Sequence, residues 1–307
     1  MNKKYKKFLR KVEKLGLIIL RNELMCYHTS FKIGGPADFF VVVNKRESLL
    51  ELLFIINELN IPKFFIGNGS NILVKDSGFR GVVIKLGDDF KSVNVFGSSE
   101  SKVKVWCGAA VLNYDFCKFS RENSLSGVEF LYGIPGTIGG AIKMNAGAFQ
   151  SEIKDIFTSC ECLDENRNLF ILNKEQANFS YRRSVFFEKN DAVIISAIFE
   201  LEKAEKTEIE SKMNNFFRHR KETQPLNFPN AGSIFKRPTK SFASKLIDEC
   251  GLKGLTIGKA CVSSKHAGFI VNLGGASSND VLEIIKRVES EVFKKTGIAL
   301  ELEIEIL

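Results

Sequence analysis

The sequence predicts an α+β chain in three parts, and three changes of pattern along it carry that reading. A strand–helix–strand run opens it, short strand-like segments follow from about Gly69, and helical periodicity returns from Lys206. The opening run is DFFVVV (Asp38 to Val43), then ESLLELLFIINELN with apolar residues at helical spacing, then KFFIG as a buried strand. Together these read as a β-α-β unit. The middle holds GVVIKL, KVKVWCG, DIFTSCECLD, NLFIL and AVIISAIFELE, each short and rich in strand-forming residues. The last part has a helix over IESKMNNFFRHRKETQ and another over FASKLIDECG, stopped by Gly251. A third, SNDVLEIIKRVESEVFKKTG, has a Ser278/Asn279 cap signal at its start and Gly297 at its end. The closing ALELEIEIL alternates strictly and predicts a strand. Leu300, Leu302, Ile304 and Ile306 would face the core, with Glu301, Glu303 and Glu305 opposite. The parts divide at 1–70, 71–203 and 204–307.

At 307 residues, 44% apolar and 26% charged, the composition is that of a soluble globular chain with core enough for two or three domains. No run approaches the ~18 uninterrupted apolar residues of a membrane span. The basic start followed by LGLIIL has the outline of a signal peptide. Glu13 and Lys14 interrupt it and a small-residue cleavage site is lacking, so the expected location is cytoplasmic. The formal charge of +8 is concentrated: residues 1–14 hold seven Lys or Arg against Glu13 alone. A helix there would carry Tyr5, Phe8, Leu9 and Val12 on one side, a solvated amphipathic helix and not a nucleic-acid reader. The seven Cys (26, 107, 117, 160, 162, 250 and 261) form no CxxC pair and no metal-like spacing with the three His. Reduced, mostly buried thiols and no metal site are expected, with Cys160 and Cys162 sharing a strand face. His28, His219 and His266 are scattered and read as ordinary histidines.

Two glycine-rich loops stand out. The first, IGNGSNILVKDSGFRG, follows a strand but holds Ile72 at the third glycine position of a dinucleotide fingerprint, and no helix pattern follows. It is not a Rossmann turn. Its Gly67, Asn68, Gly69, Ser70 and Asn71 can still point successive N–H groups into one concavity that suits a pyrophosphate, or form a plain Gly/Asn loop. The second, GIPGTIGGAIKMNAGAF, has too many glycines for a packed helix and too many apolar residues for a solvent linker. Gly133, Gly136, Gly139 and Gly140 would let a flat or phosphorylated ligand approach the backbone; the alternative is tight packing at a bend. Arg182 and Arg183 in FSYRRSVF sit beside Tyr181 and Ser184; an Arg next to an aromatic could clamp a carboxylate or phosphate through its planar fork, or simply stand on an exposed strand. Ser233 in NAGSIFKRP sits in a small-residue turn ahead of Lys236 and Arg237, without the GxSxG elbow.

Taken in order, HTSFKIGGPADFF, GNGSNILV, GIPGTIGGAIKMNAGAF, SYRRS, NAGSIFKRP and KHAGFIVN resemble the UDP-N-acetylenolpyruvoylglucosamine reductase (MurB) family over nearly the whole chain. The lack of an extra tyrosine-bearing loop in the third part is similar to the compact subclass. The resemblance implies a PCMH-type, vanillyl-alcohol oxidase-like flavin domain in two parts, 1–70 and 71–203. A C-terminal α+β domain, 204–307, would then take the UDP-sugar. It implies non-covalent FAD, NADPH as hydride donor, and reduction of UDP-N-acetylglucosamine enolpyruvate to UDP-N-acetylmuramate, with a monomer favoured. Flavin contacts would come from Gly67 to Asn71 and from Gly133, Pro135, Gly136, Gly139, Gly140, Asn145, Ala146 and Gly147. Three catalytic positions carry over: Arg182 from a Tyr-Arg-x-Ser motif, Ser233 from Gly-Ser-x-Phe-Lys, and Glu303 from Leu-Glu-x-Glu. Ser233 would give the proton, and Arg182 and Glu303 would stabilise the enolate, Glu303 as a protonated acid or a hydrogen-bonding partner. Tyr181, Lys236 and Arg237 would serve substrate binding, the last two its phosphates. Lys143 stands where the family usually has an aromatic residue. The rival readings are another FAD oxidase or dehydrogenase of a sugar or alcohol, and a non-enzymatic binding module. With no His in either glycine-rich loop, covalent flavin is not expected.

Overall fold

The computed structural model describes residues 3–164, 166–188 and 192–307. Eight α-helices occur among them: α1 (Lys3–Glu13), α2 (Arg46–Glu58), α3 (Asn113–Glu122), α4 (Ile138–Lys143), α5 (Ile153–Ile156), α6 (Lys206–Thr223), α7 (Ala243–Glu249) and α8 (Ser278–Thr296). With the strands between them the chain is α+β, as the pattern changes predict. It forms two compact units. The first comprises Met1–Leu20, Phe39–Gly67 and Gly81–Arg218, the second Arg21–Asp38, Asn68–Arg80 and His219–Leu307.

The strands of the opening β-α-β run, Pro36–Val43 and Lys63–Ile66, are not neighbours: Phe79–Leu86 lies between them. Lys63–Ile66 pairs with it in parallel, Phe64 opposite Val83. Val82, Val83 and Ile84 are buried on both strand faces, as a parallel strand covered on both sides requires. α2 covers this sheet with Leu49, Leu52, Leu53 and Ile56, while α1 contributes Phe8, Leu9 and Val12 to the same core. The basic face of α1 is partly spent inside the chain. Lys7 and Lys11 both pair with Glu58 of α2, whose carboxyl the Lys11 and then the Lys7 hydrogen bonds hold below the usual range.

The middle strands form an antiparallel sheet in the order Leu169–Asn173, Phe157–Leu163, Val193–Lys203, Lys102–Gly108, Val93–Ser98. Leu125–Ser126 pairs with the end of Val193–Lys203. α3 and α4 bury Phe116, Cys117, Ile138, Ala141 and Ile142 in its core. All seven cysteines are free thiols and five are buried, Cys160 and Cys162 side by side with sulfurs 3.6 Å apart. Burial pushes the Cys107 and Cys117 thiols up, so they stay neutral packing groups.

The second unit has a four-stranded antiparallel sheet in the order Asn230–Ser233, Phe269–Asn272, Ala260–Val262, Thr256–Ile257. α8 buries Val281, Ile284, Ile285, Val288 and Val292 in the same core, and Gly297 ends it with φ +70°. Its cap is Ser277, one residue before the predicted pair, in a capping box with Asp280. Ser278 is drawn into the first turn because its hydroxyl and amide both engage Asp76. The closing ALELEIEIL is not one strand. Leu302 makes a single bridge with Phe235, and only Glu305–Ile306 pairs regularly, in parallel with Ile72–Leu73. The alternation survives the loss of regular pairing: Leu300, Leu302 and Ile304 join the core while Glu301 is exposed. No described helix is long and apolar enough to cross a membrane.

Candidate active site

The second glycine-rich loop is built onto the stretch that follows the strand Lys102–Gly108. Ile138 and Gly139 donate to the carbonyls of Val111 and Ala109, and Thr137 bridges Leu112. The Asn113 amide donates to Gly136 O and its Nδ2 to Ile134 O. Gly133 and Gly136 have φ of +85° and +153°, conformations that a side chain resists. α4 turns Ile138, Ala141 and Ile142 inward, which is why a glycine-rich loop carries so many apolar residues. A Cβ on Gly139 would meet the Ala109 methyl at 3.2 Å, so tight packing explains that glycine. Gly140 is different. It is exposed, and a Cβ there would find only Thr137 Oγ1, at 3.7 Å. The chain itself gives no reason for a glycine in this helix, where alanine would be more stable by about 1 kcal/mol. The buried Oδ1 of Asn113, which opens α3 and holds this loop through its two donors, has no partner among the described residues.

The first loop is explained by its own neighbours. Gly69 has φ +61°, and a Cβ there would collide with the His28 carbonyl; its own carbonyl accepts from the Ser30 amide. A Cβ on Gly67 would run into the Thr137 hydroxyl. Asn68 is exposed and Ser70 half-buried, and Asn71 Nδ2 donates to the Glu303 carbonyl at 3.0 Å.

Arg182 stands in the first unit on a tight turn, Ser180 and Arg183 exchanging backbone hydrogen bonds. Its φ is +53°, where such turns usually place Gly or Asn. The guanidinium donates to Gly147 O at 2.7 Å and to Asn145 O at 3.5 Å, and lies 5.0 Å from the Tyr181 ring. The predicted arginine and the predicted loop are therefore in direct contact. Ala146 packs against the core, and Pro135 is exposed. Lys143, at the end of α4, has its ammonium 5.0 Å from the Phe187 ring and 6.0 Å from Phe64.

Ser233 and Glu303 come together in the second unit. Ser233 pairs with Phe269, and the Glu303 amide donates to the carbonyl of the next residue, Ile234, at 2.8 Å. With Asn71 on its carbonyl, the Glu303 backbone is fixed on both sides, and its side chain is half-buried where Glu301 is exposed. That contrast separates two glutamates which alternation alone leaves equivalent. Lys236 pairs with Glu301, and the Arg237 guanidinium lies 4.1 Å from the Phe242 ring. Arg220, which the sequence hides in a run of charged residues, has a buried Nε with no partner among the described residues, and the same holds for Gln224 Oε1 one turn on. Burial brings its guanidinium down to about 10, with no described carboxylate to offset it. His266 accepts from the Gly268 amide through Nδ1, and burial holds its ring below the usual histidine range.

Comparison with known proteins gives one consistent answer. Residues 224–307 match the family described as "UDP-N-acetylenolpyruvoylglucosamine reductase, C-terminal domain", and residues 37–171 match "FAD binding domain". The UDP-N-acetylenolpyruvoylglucosamine reductase of Caldanaerobacter subterraneus is 46% identical over 97% of this chain and 96% of its own length. That of Clostridioides difficile is 46% identical over 93% and 92%. The crystal structure of the MurB reductase from Thermus caldophilus superposes with a TM-score of 0.82 at 35% identity, covering 94% of this chain and 99% of that one. The two-part flavin fold implied by the resemblance is thereby borne out. At this identity over nearly the full length, the chain belongs to the UDP-N-acetylenolpyruvoylglucosamine reductase family, the FAD-dependent oxidoreductases of UDP-N-acetylmuramate synthesis.

Proposed function

We propose that this chain reduces UDP-N-acetylglucosamine enolpyruvate to UDP-N-acetylmuramate, with NADPH as reductant and non-covalent FAD, in the cytoplasm. The observation that carries the flavin assignment is Gly140, an exposed helical glycine that the chain's own packing does not require. The cradle fits: Gly140 leaves the helix backbone bare, and Asn113, whose donors hold Gly136 O and Ile134 O of the same loop, keeps a buried Oδ1 with no partner among the described residues. Gly133, Pro135, Gly136, Gly139, Gly140, Ala146 and Gly147 of the second loop, with Gly67 to Asn71 of the first, would hold the cofactor, while Asn145, completely buried, would support that loop from within. Residues 1–70 and 71–203 would form its binding region and 204–307 that of the UDP-sugar. FAD supplies the hydride chemistry that no side chain here can.

The chain's own residues then have three tasks. Ser233 donates the proton to the carbon that becomes basic as the enolpyruvyl double bond is reduced. Arg182 and Glu303 offset the negative charge that develops toward the substrate carboxylate, Arg182 by charge and Glu303 by a hydrogen bond. Tyr181 flanks Arg182. For the diphosphate, Lys236 would have to leave Glu301, whereas Arg220 has no described carboxylate to leave. Arg220 therefore joins Lys236 and Arg237 as a phosphate-binding residue. The test is Ser233→Ala, followed one half-reaction at a time. NADPH-driven bleaching of the flavin stays at the wild-type rate, and reoxidation by the enolpyruvyl UDP-sugar falls by about 10²–10⁴-fold. Equal losses in both halves would remove Ser233 from the proton step.

A further inference from the structure

Resting on the assignment of Arg182 above, we propose that Asn145 is a positioning residue that pins the turn carrying Arg182 to the second glycine-rich loop, so that loop and guanidinium move as one body. Asn145 lies in that loop yet is completely buried, so its carboxamide is engaged inside the chain. Both Nδ2 hydrogens are used, one on Ser180 O at 3.0 Å and one on Glu152 Oε2 at 2.8 Å, while Oδ1 accepts from the Lys154 amide at 3.0 Å. Ser180 is the first residue of the Arg182 turn. Its carbonyl takes the Asn145 bond beside the turn's own bond from the Arg183 amide, 3.2 Å long. In return the Arg182 guanidinium reaches back to the carbonyls of Asn145 and Gly147. Ser184, buried at the far end of the turn, adds a bond from its hydroxyl to Lys143 O at 2.7 Å.

Backbone strain says why such stitching is needed. Arg182 at φ +53° is held in a left-handed conformation that a side chain disfavours, and it persists only where its surroundings over-determine it. Asn145 has φ +42°, which asparagine tolerates better than most residues. Release Ser180 and the turn can relax to negative φ at Arg182, swinging the guanidinium away from its present direction. Asn145 touches no reacting atom in this account; it acts through Arg182.

The experiment is a double-mutant cycle on the FAD-loaded enzyme with Asn145→Asp and Arg182→Ala. Aspartate keeps the volume but points oxygens at Ser180 O and the Glu152 carboxylate, so both donors are lost. Asn145→Asp alone should retain FAD and be reduced by NADPH normally, while substrate-driven reoxidation slows at least tenfold. Added to Arg182→Ala, the same substitution should slow reoxidation less than threefold, because the group it aims is gone. Ser184→Ala, a milder cut on the same turn, should show a several-fold loss that also vanishes in the Arg182→Ala background, and it serves if Asn145→Asp does not fold. Independent, multiplying losses in both backgrounds overturn the proposal, as does loss of bound FAD with reoxidation unchanged in Ser184→Ala. The unsubstituted enzyme separates the two failures. If its reduced flavin ignores the enolpyruvyl sugar, the functional reading falls and this proposal with it; if it responds and the losses multiply, only the role of Asn145 falls.

Discussion

The two glycine-rich loops look alike in sequence and differ in why they need glycine. In the first, every critical glycine answers to the chain: Gly69 to the His28 carbonyl and its own left-handed φ, Gly67 to the Thr137 hydroxyl. In the second, Gly139 answers to Ala109, but Gly140 answers to nothing the chain supplies. A glycine that the fold requires is thus distinguishable from one that it does not by what an added methyl would hit. The same contrast separates Asn71, tied to the Glu303 carbonyl, from Asn113, whose buried oxygen is left over.

Methyl additions test that contrast most strongly. Gly69→Ala combines left-handed strain with a collision against backbone, and should destabilise the protein by roughly 3 kcal/mol, read as a lower urea midpoint. A change within 0.5 kcal/mol would show that the first loop is not held as described. Gly140→Ala should do the opposite to the fold and harm the ligand. The flavin-free protein keeps or slightly raises its Tm, since alanine favours a helix by about 1 kcal/mol, while the FAD Kd rises tenfold or more. Unchanged FAD affinity would put the glycine down to chance and break the comparison. The smallest effect concerns the unit that holds residues 68–80. His266 has a folded pKa below its ordinary value, so the unfolded chain takes up the proton first. Its contribution is complete above about pH 6.5 and is lost as pH falls below that, with a slope of at most about 1.4 kcal/mol per pH unit. Urea midpoints at pH 7.5 and 5.5 should converge for His266→Gln relative to wild type; identical pH dependence would contradict it.

Much of this was legible from residues in order. Helical and strand periods placed α2, α6, α8 and the middle strands, because those segments each bury one face or both against a core. Periodicity says nothing of sheet order, so Phe79–Leu86 was not foreseen between the two strands of the opening run. The closing alternation placed Leu300, Leu302 and Ile304 inward, though not Ile306, which joins no core cluster, and it missed the irregular pairing, because side-chain period is set by burial and ladder hydrogen bonds by the neighbours available. Ser277 displaced Ser278 as the cap through Asp76, some two hundred positions away, which no local signal contains. Among the candidate site residues, Arg182, Ser233 and the glycines stood out by type and motif. Asn113 and Arg220 did not, since an asparagine in a helix start and an arginine among charges look ordinary until their burial and missing partners are seen.

The most direct measurement of the central claim is an anaerobic absorbance titration of the purified protein, first with NADPH and then with UDP-N-acetylglucosamine enolpyruvate. A flavin band that bleaches with NADPH and returns on adding the enolpyruvyl sugar is the predicted result. A protein that shows no flavin band even after FAD is added back, or a bleached flavin that this substrate leaves reduced, would contradict it.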